Sequence, residues 1–232
     1  MNIERIILNI PHASPSFPYG KDAWGAGIDA CIERWTDWHT DALFIGAIDR
    51  SLEARIQSVV YSWSRFFCDV ERLENDPLEA VGQGIIYTDF EGVKRQMDEG
   101  TKGRIMEGYK AYMSFLKSRI FNGGTLLLDC HSFPADLSEV EVCIGFNEDW
   151  SKPEADFIEL VAGYFVKHGY SVGINNPYTN SISPETGFEY KSMMIELNKA
   201  TYMEGNALDV VKAEKMKKVI NGLYKIILGY GK

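Results

Sequence analysis

The sequence lacks cysteine pairs, long hydrophobic runs and a signal peptide, and each absence excludes a kind of protein. Its 4 cysteines include no CxxC pair, so a zinc site built from cysteines is not expected. No apolar run approaches the ~18 residues that span a bilayer. The N-terminal stretch MNIERIILNIPH is too short and too polar to be a signal peptide. We therefore expect a cytoplasmic protein.

The sequence also lacks an excess of basic residues, because its formal net charge is -9 at pH 7. Phosphate backbones bind basic faces, and anionic membrane surfaces attract basic segments. We therefore expect neither nucleic acid nor a membrane as a partner. A small anionic substrate is still compatible with this charge, since a few arginines in a cleft can bind it.

Apolar segments with strand and helix character alternate along the 232 residues, which predicts one α/β domain over residues 1–232 with a largely parallel or mixed sheet. The predicted strands cover residues 5–10, 56–61, 84–90, 125–130, 140–146 and 191–198, with a further strand and turn in YSVGINNP. The predicted helices cover residues 27–49, 92–121, 153–168 and 205–228, each with apolar positions at helical spacing or with helix-end residues.

Polar residues with catalytic potential interrupt the ends of three predicted strands. His12 ends NIPH, His131 follows LLLDC, and Glu196 lies inside MMIELN. Strand ends of α/β sheets open into the crevice where ligands bind, and two histidines plus a carboxylate are a common ligand set for catalytic zinc. Asp129 shares a strand face with His131 and is expected to orient a ligand histidine. The alternative for each histidine is a structural or surface role.

Acidic residues offer candidates for the general base and the third metal ligand. An unpaired carboxylate in a buried strand is costly, so Glu196 either faces a polar cleft or forms a salt bridge with Lys191 or Arg72. Asp37 and Asp41 are four residues apart and are expected on one helix face, either as ligands or as part of a solvated surface. The motifs HExxH and GxxxxGKS/T are absent, which disfavours the enzymes that use them.

Five stretches in series carry a resemblance to a known family. They are NIPHASPSFP, TDWHTDALF, YSWSRFFCDVERLENDP, LLLDCHSFP and MMIELNKATYMEG. In this order and spacing, over residues 7–205, they resemble the N-formylglutamate amidohydrolase family. The resemblance implies a three-layer α/β fold, a mixed sheet flanked by helices, like that of zinc carboxypeptidases, aspartoacylase and the phosphorylase/hydrolase-like proteins.

The resemblance also implies a zinc-dependent hydrolase that cleaves the amide of N-formyl-L-glutamate, giving formate and glutamate. The implied roles are His12, His131 and Asp41 as metal ligands, with Asp37 as the alternative carboxylate, Glu196 as general base and Arg72 as the group that holds a substrate carboxylate. We add Arg65, Ser132 and Asn176 as candidates for binding the small N-acyl amino acid substrate.

The chain departs from the family pattern in the loop NPYTNSISPETG, which contains no arginine. This loop is expected to contact substrate. A carboxypeptidase-like enzyme or a deacylase of another N-acyl amino acid is therefore an alternative function. A non-catalytic descendant that binds a small ligand is the alternative from another class of protein.

Overall fold

The computed structural model describes residues 2–231 and has a central six-stranded sheet flanked by helices. The strands are β1 (Arg5–Ile10), β2 (Ile56–Val60), β3 (Asp89–Phe90), β4 (Val93–Lys94), β5 (Thr125–Phe133), β6 (Val142–Gly145), β7 (Val172–Ile174), β8 (Lys191–Asn198), β9 (Met203–Glu204) and β10 (Ala207–Leu208). The α-helices are α1 (Ile28–Trp35), α2 (Thr40–Gly46), α3 (Glu99–Arg119), α4 (Ala155–Lys167) and α5 (Val210–Gly229). The predicted α/β fold is confirmed.

The central sheet has the strand order β2-β1-β5-β8-β6-β7. Strands β2, β1, β5 and β8 pair in parallel, whereas β6 is antiparallel to β8 and parallel to β7. The sheet is therefore mixed, as the sequence predicted. The predicted likeness to zinc carboxypeptidases in particular stays a prediction.

The two faces of the sheet bury different helices. Leu128 and Ile195 belong to a core cluster shared with residues of α2, α4 and α5, whereas Leu127 packs with residues of α3. Side chains alternate between the faces along a strand, so Asp129 and His131 lie on the α3 face. The register places Glu196 of β8 directly beside His131 of β5, so both side chains point to the same face.

The helix predicted for residues 27–49 is wrong as a single element. It is interrupted between α1 and α2, where the Thr36 side chain donates to the Ile32 carbonyl at 2.7 Å and His39 takes a left-handed backbone conformation with φ 64°. The Asp37 N–H then donates to the His12 carbonyl at 3.0 Å. The apolar periodicity continues across this break, and for that reason it did not reveal the interruption.

The bounds of other strands and helices also differ from the predicted ones. The predicted strand 84–90 is reduced to the short β3, which pairs with β4, and α3 starts only at Glu99. The Asp98 carboxylate caps α3 by accepting from the Thr101 N–H at 2.9 Å. Strand β5 continues past Cys130 to Phe133, so His131 lies within the strand. The four cysteines are free and buried. In the described part of the chain, none of the helices combines the length and apolar character that crossing a membrane demands.

Candidate active site

Two buried histidines meet at the carboxyl end of the parallel strands. His12 follows β1 and His131 lies in β5, and their ring centroids are 5.0 Å apart. Glu71 completes the group, with carboxylate oxygens 3.8 Å from His12 Nδ1 and 3.6 Å from His131 Nε2. Each of the three residues offers one possible metal-ligand atom, and these three atoms lie within 4.8 Å of one another. Neither of these ring nitrogens has a hydrogen-bond partner, so the three residues fit one metal ion.

The opposite nitrogen of each ring contacts a buried carboxylate. His12 Nε2 lies 2.8 Å from Asp69 Oδ1, and His131 Nδ1 lies 3.0 Å from Asp37 Oδ2. Burial raises the pKa of Asp37, but the hydrogen bond and charge of His131 outweigh burial and hold that pKa below its usual range. Carboxylates in this arrangement fix the orientation of ligand histidines. The other two ring nitrogens, His12 Nδ1 and His131 Nε2, therefore both turn toward Glu71.

The structure does not bring the predicted ligand Asp41 to this site. Asp41 is exposed on α2, and its carboxylate accepts a hydrogen bond from the Ala42 N–H at 2.8 Å. The alternative, Asp37, lies at the site, but its carboxylate contacts His131 Nδ1. Glu71, which the sequence analysis did not name as a ligand, lies where the third ligand was expected. The sequence feature that could have pointed to Glu71 is the stretch DVER, in which Glu71 directly precedes the predicted Arg72.

Asp37 is held in place by the segment that follows β8. The Lys199 ammonium donates to the Arg34 carbonyl at 2.6 Å, and the Tyr202 hydroxyl donates to the Trp38 carbonyl at 2.9 Å. These two hydrogen bonds fall on either side of Asp37 in the chain. The same segment begins directly after the strand that carries Glu196, so both carboxylates are positioned by one element.

Asp129 contacts His131, and its predicted role in orienting a ligand histidine stays a prediction. Its Oδ1 accepts from Asn9 Nδ2 at 2.7 Å and lies 3.2 Å from His131 Nε2, the nitrogen turned toward Glu71. Its Oδ2 accepts from the Ile182 N–H at 3.1 Å. Asp129 thus joins β1, β5 and the loop before β8 beneath the histidine.

Glu196 is buried without a charge partner. It is 8% exposed, and its Oε2 has no hydrogen-bond partner. The proposed salt bridge with Lys191 or Arg72 is not formed, because Lys191 donates to the Trp150 carbonyl and Arg72 lies near Asp69. Burial raises the pKa of the Glu196 carboxyl to about 8. A carboxyl of this kind can accept a proton near neutral pH.

Two arginines lie near the histidines, and their predicted contact with substrate stays a prediction. Arg65 Nη2 is 3.3 Å and Arg72 Nε is 3.7 Å from Asp69 Oδ2. The Tyr87 hydroxyl donates to the same oxygen. The Nε atom of each arginine has no hydrogen-bond partner. Asp69 therefore contacts both guanidinium groups and His12.

These groups line a cleft of about 320 Å³. Its polar lining includes Glu71, His131, Glu196, Arg65, Arg72 and Ser132, and its apolar lining includes Trp35, Phe90, Tyr178 and Met194. The predicted substrate residue Asn176 is exposed and is not part of the lining. The chain turns at Asn175, where φ is 50°, and Thr179 and Asn180 of the same loop line the cleft instead.

The fold and the site together define an α/β protein in which a His-Glu-His group that could hold a metal ion lies beside a buried carboxyl group and two arginines. The family model for N-formylglutamate amidohydrolase matches residues 4–203, and the chain belongs to this family. That membership supports a hydrolase that acts on amide bonds. No curated protein matches the chain in sequence.

Two solved structures are similar to this chain. One is N-formylglutamate amidohydrolase from Ralstonia eutropha JMP134, with a TM-score of 0.78, 18% identity, and 99% of this chain and 94% of that chain covered. The other is the gene product Atu2144 from Agrobacterium tumefaciens, with a TM-score of 0.68, 15% identity, and 97% of this chain and 91% of that chain covered. At these identities the likeness shows the fold.

If Asp37 orients His131, its replacement should weaken metal binding without abolishing it. Asp37→Asn keeps the shape of the side chain but removes the charge that holds His131 Nδ1, so metal affinity should fall by roughly 10–100-fold. Asp41→Asn is the matched control and should change nothing, because Asp41 is exposed. Competition with a coloured chelator measures both affinities. Equal affinities in the two variants would place the orienting group elsewhere.

Proposed function

We propose that this protein is a zinc-dependent amidohydrolase that cleaves the N-acyl amide of a small acidic amino acid such as N-formylglutamate, giving formate and glutamate. The observation that carries the proposal is the convergence of His12, Glu71 and His131 beside the unpaired Glu196. Family membership supports an amide substrate. The predicted substrate is therefore a small N-acyl amino acid.

The donor set supports zinc as the metal. His12 Nδ1, His131 Nε2 and one Glu71 oxygen would hold it, and two histidines with one glutamate are a common ligand set of catalytic zinc. When bound, zinc supplies a positive charge that polarises a carbonyl and makes a water molecule more acidic. The remaining chemistry comes from the side chains of the chain itself.

Glu196 is the proposed general base. Hydrolysis forms a bond between the water oxygen and the acyl carbon and breaks the C–N bond of the amide. Glu196 accepts the proton that the attacking water loses and then donates a proton to the departing amine nitrogen, so the carboxylate is restored. Its burial and its lack of an ion pair suit this role, because an ion pair would hold it deprotonated and weaken it as a base.

Arg72 and Arg65 are proposed to bind the carboxylates of the substrate. Both line the cleft, and the Nε of Arg65 has no hydrogen-bond partner among the described residues. A planar guanidinium can hold a carboxylate with two parallel hydrogen bonds. Ser132 also lines the cleft and is proposed as a further substrate contact. The amino acid is thus fixed while its N-acyl group faces Glu196.

A deacylase of a different N-acyl amino acid is the second candidate. The observation that favours it is the apolar part of the cleft, where Trp35 and Phe90 pack edge to face at 5.8 Å. A panel of N-formyl and N-acetyl derivatives of glutamate and leucine, assayed for release of the free amine, separates the two. We expect the highest kcat/KM with N-formylglutamate. A preference for the leucine derivatives would replace the acidic substrate with an apolar one.

Arg72 should determine the affinity for acidic substrates. Arg72→Lys keeps the charge but loses the planar fork, so kcat/KM for N-formylglutamate should fall by about tenfold or more, the loss expected when a charge-assisted hydrogen bond is removed. Steady-state kinetics provide the measurement, with the exposed Arg50→Lys as control. Unchanged kinetics in Arg72→Lys would remove Arg72 from the binding site.

A further inference from the structure

Tyr178 is a residue of the cleft to which the proposed mechanism gives no role. It lines the cleft together with His131 and Glu196, and its side chain is partly buried. Its ring packs edge to face against Phe133, with the ring centroids 6.1 Å apart. A tyrosine in such a place combines an apolar ring with a hydroxyl that can form a hydrogen bond. The hydroxyl is therefore the group that Tyr178 can add to the chemistry of the cleft.

The sheet beside Glu196 holds Tyr178 in place. The Cys143 thiol donates to the Tyr178 carbonyl at 3.3 Å, and Cys143 of β6 is paired in register with Glu196 of β8. Cys143 and Met194 belong to the small buried cluster against which Tyr178 packs. Met194 is two residues before Glu196, so both side chains point to the same face of the sheet. Tyr178 thus lies against the face from which Glu196 projects.

The Tyr178 hydroxyl has no hydrogen-bond partner within residues 2–231, because the hydrogen bond of this residue is made by its carbonyl. Burial raises the pKa of the phenol, the charge of Glu196 raises it further, and the charge of Arg65 lowers it. The hydroxyl therefore keeps its proton at neutral pH and is a hydrogen-bond donor. Because charges interact most strongly over short distances, it lies in the part of the cleft that holds the proposed base and a proposed substrate arginine.

The reaction proposed for the cleft requires a donor of this kind. When water attacks the acyl carbon, the acyl oxygen gains negative charge, and a positioned hydrogen-bond donor stabilises that charge in the transition state. We propose that the Tyr178 hydroxyl donates a hydrogen bond to this oxygen and is a catalytic residue of the chain. The phenol keeps its proton throughout, so the proton transfers assigned to Glu196 are unchanged. This inference rests on the proposed function, because it needs an N-acyl amide in the cleft.

Tyr178→Phe tests the inference, because it removes the hydroxyl and keeps the ring that packs against Phe133. With N-formyl-L-glutamate we expect kcat to fall by roughly 10²–10³-fold, the usual loss when one donor to such an oxygen is removed. The KM, the metal content and the circular dichroism spectrum should stay those of the unaltered chain, since a group that acts in the transition state changes kcat rather than ground-state binding. Tyr19→Phe is the matched control, because Tyr19 is 40% exposed and does not line the cleft, and it should leave kcat unchanged.

An unchanged kcat in Tyr178→Phe, measured beside an active unaltered chain, overturns the inference and leaves the proposed function standing. A change confined to KM also overturns it, because the hydroxyl would then contact the bound substrate and not the transition state. A fall in kcat that accompanies loss of metal does the same, since Tyr178 would then support the metal site. If the unaltered chain releases no amine from any N-formyl or N-acetyl derivative of glutamate or leucine, the proposed function fails, and the inference fails with it.

Discussion

His131→Ala should yield a folded protein that has lost its metal and its amidohydrolase activity together. His131 Nε2 faces Glu71 and has no hydrogen-bond partner, so alanine removes one of the three proposed ligands. Elemental analysis of protein purified without chelator measures the metal, and formate release measures the activity. His168→Ala is the control, because His168 is exposed and its Nδ1 lies against the Tyr164 carbonyl of α4, away from the site. Full metal occupancy in His131→Ala would place the metal site elsewhere.

The proposed carboxylate ligand, Glu71, is tested in the same way as His131. Glu71→Gln should lose metal in the same way as His131→Ala, because its oxygens lie between the two histidines. Asp41→Asn should retain both metal and activity, since Asp41 is exposed on α2. Metal loss in Asp41→Asn with retention in Glu71→Gln would restore the assignment made from the sequence.

Glu196→Gln should keep the metal and the substrate affinity but lose roughly 10²–10⁴-fold in turnover, the usual contribution of a positioned base. Glutamine has nearly the same shape and cannot accept the proton. The measurements are kcat, substrate binding by calorimetry and metal content on the same preparation. Loss of metal would make Glu196 a ligand, and unfolding without any change in chemistry would give it a structural role.

The pH dependence of turnover provides a second readout of Glu196. Only the carboxylate form accepts a proton, so the rate should fall as the pH falls through the pKa of this group. Burial raises that pKa to about 8, and the positive charge of a bound cation lowers it. The acid limb of the kcat profile should therefore lie below pH 8. Glu196→Gln should lack this limb over the same range.

The main strands of the central sheet and the polar residues at their ends could be predicted from the sequence. The runs RIILNI, TLLLDC and KSMMIELN are dense in apolar residues, so their place in a central sheet followed from burial. Because parallel strands end at one edge, His12, His131 and Glu196 were expected near one another. The structure places them there, with the two histidine rings in contact distance and Glu196 beside His131 in register.

The third candidate metal ligand, Glu71, could not be predicted in the same way. Asp37 and Asp41 were placed on one helix because the apolar spacing continues through both, but periodicity does not report the break at Thr36 and His39. The break turns Asp37 toward His131 and leaves Asp41 in solvent. Glu71 lies in a loop without periodicity, and only the contacts of the folded chain bring it between the histidines.

The residues that line the cleft were predicted in part, and their contact with substrate stays a prediction. Arg65, Arg72 and Ser132 lie near buried strands or at their ends, and all three line the cleft. Asn176 was chosen from a loop whose path the sequence does not determine, and the loop presents Thr179 and Asn180 to the cleft instead. Contacts made by irregular segments depend on backbone turns that composition alone does not specify.

The most direct test of the central claim is formate release from N-formyl-L-glutamate by the purified chain, before and after removal of metal with a chelator and after addition of zinc. The account predicts activity in the original protein, its loss with the chelator, and its recovery at about one zinc per chain, since three ligands form one site. Activity that persists in the fully metal-free protein would contradict the account, and so would a zinc-loaded protein that releases no formate.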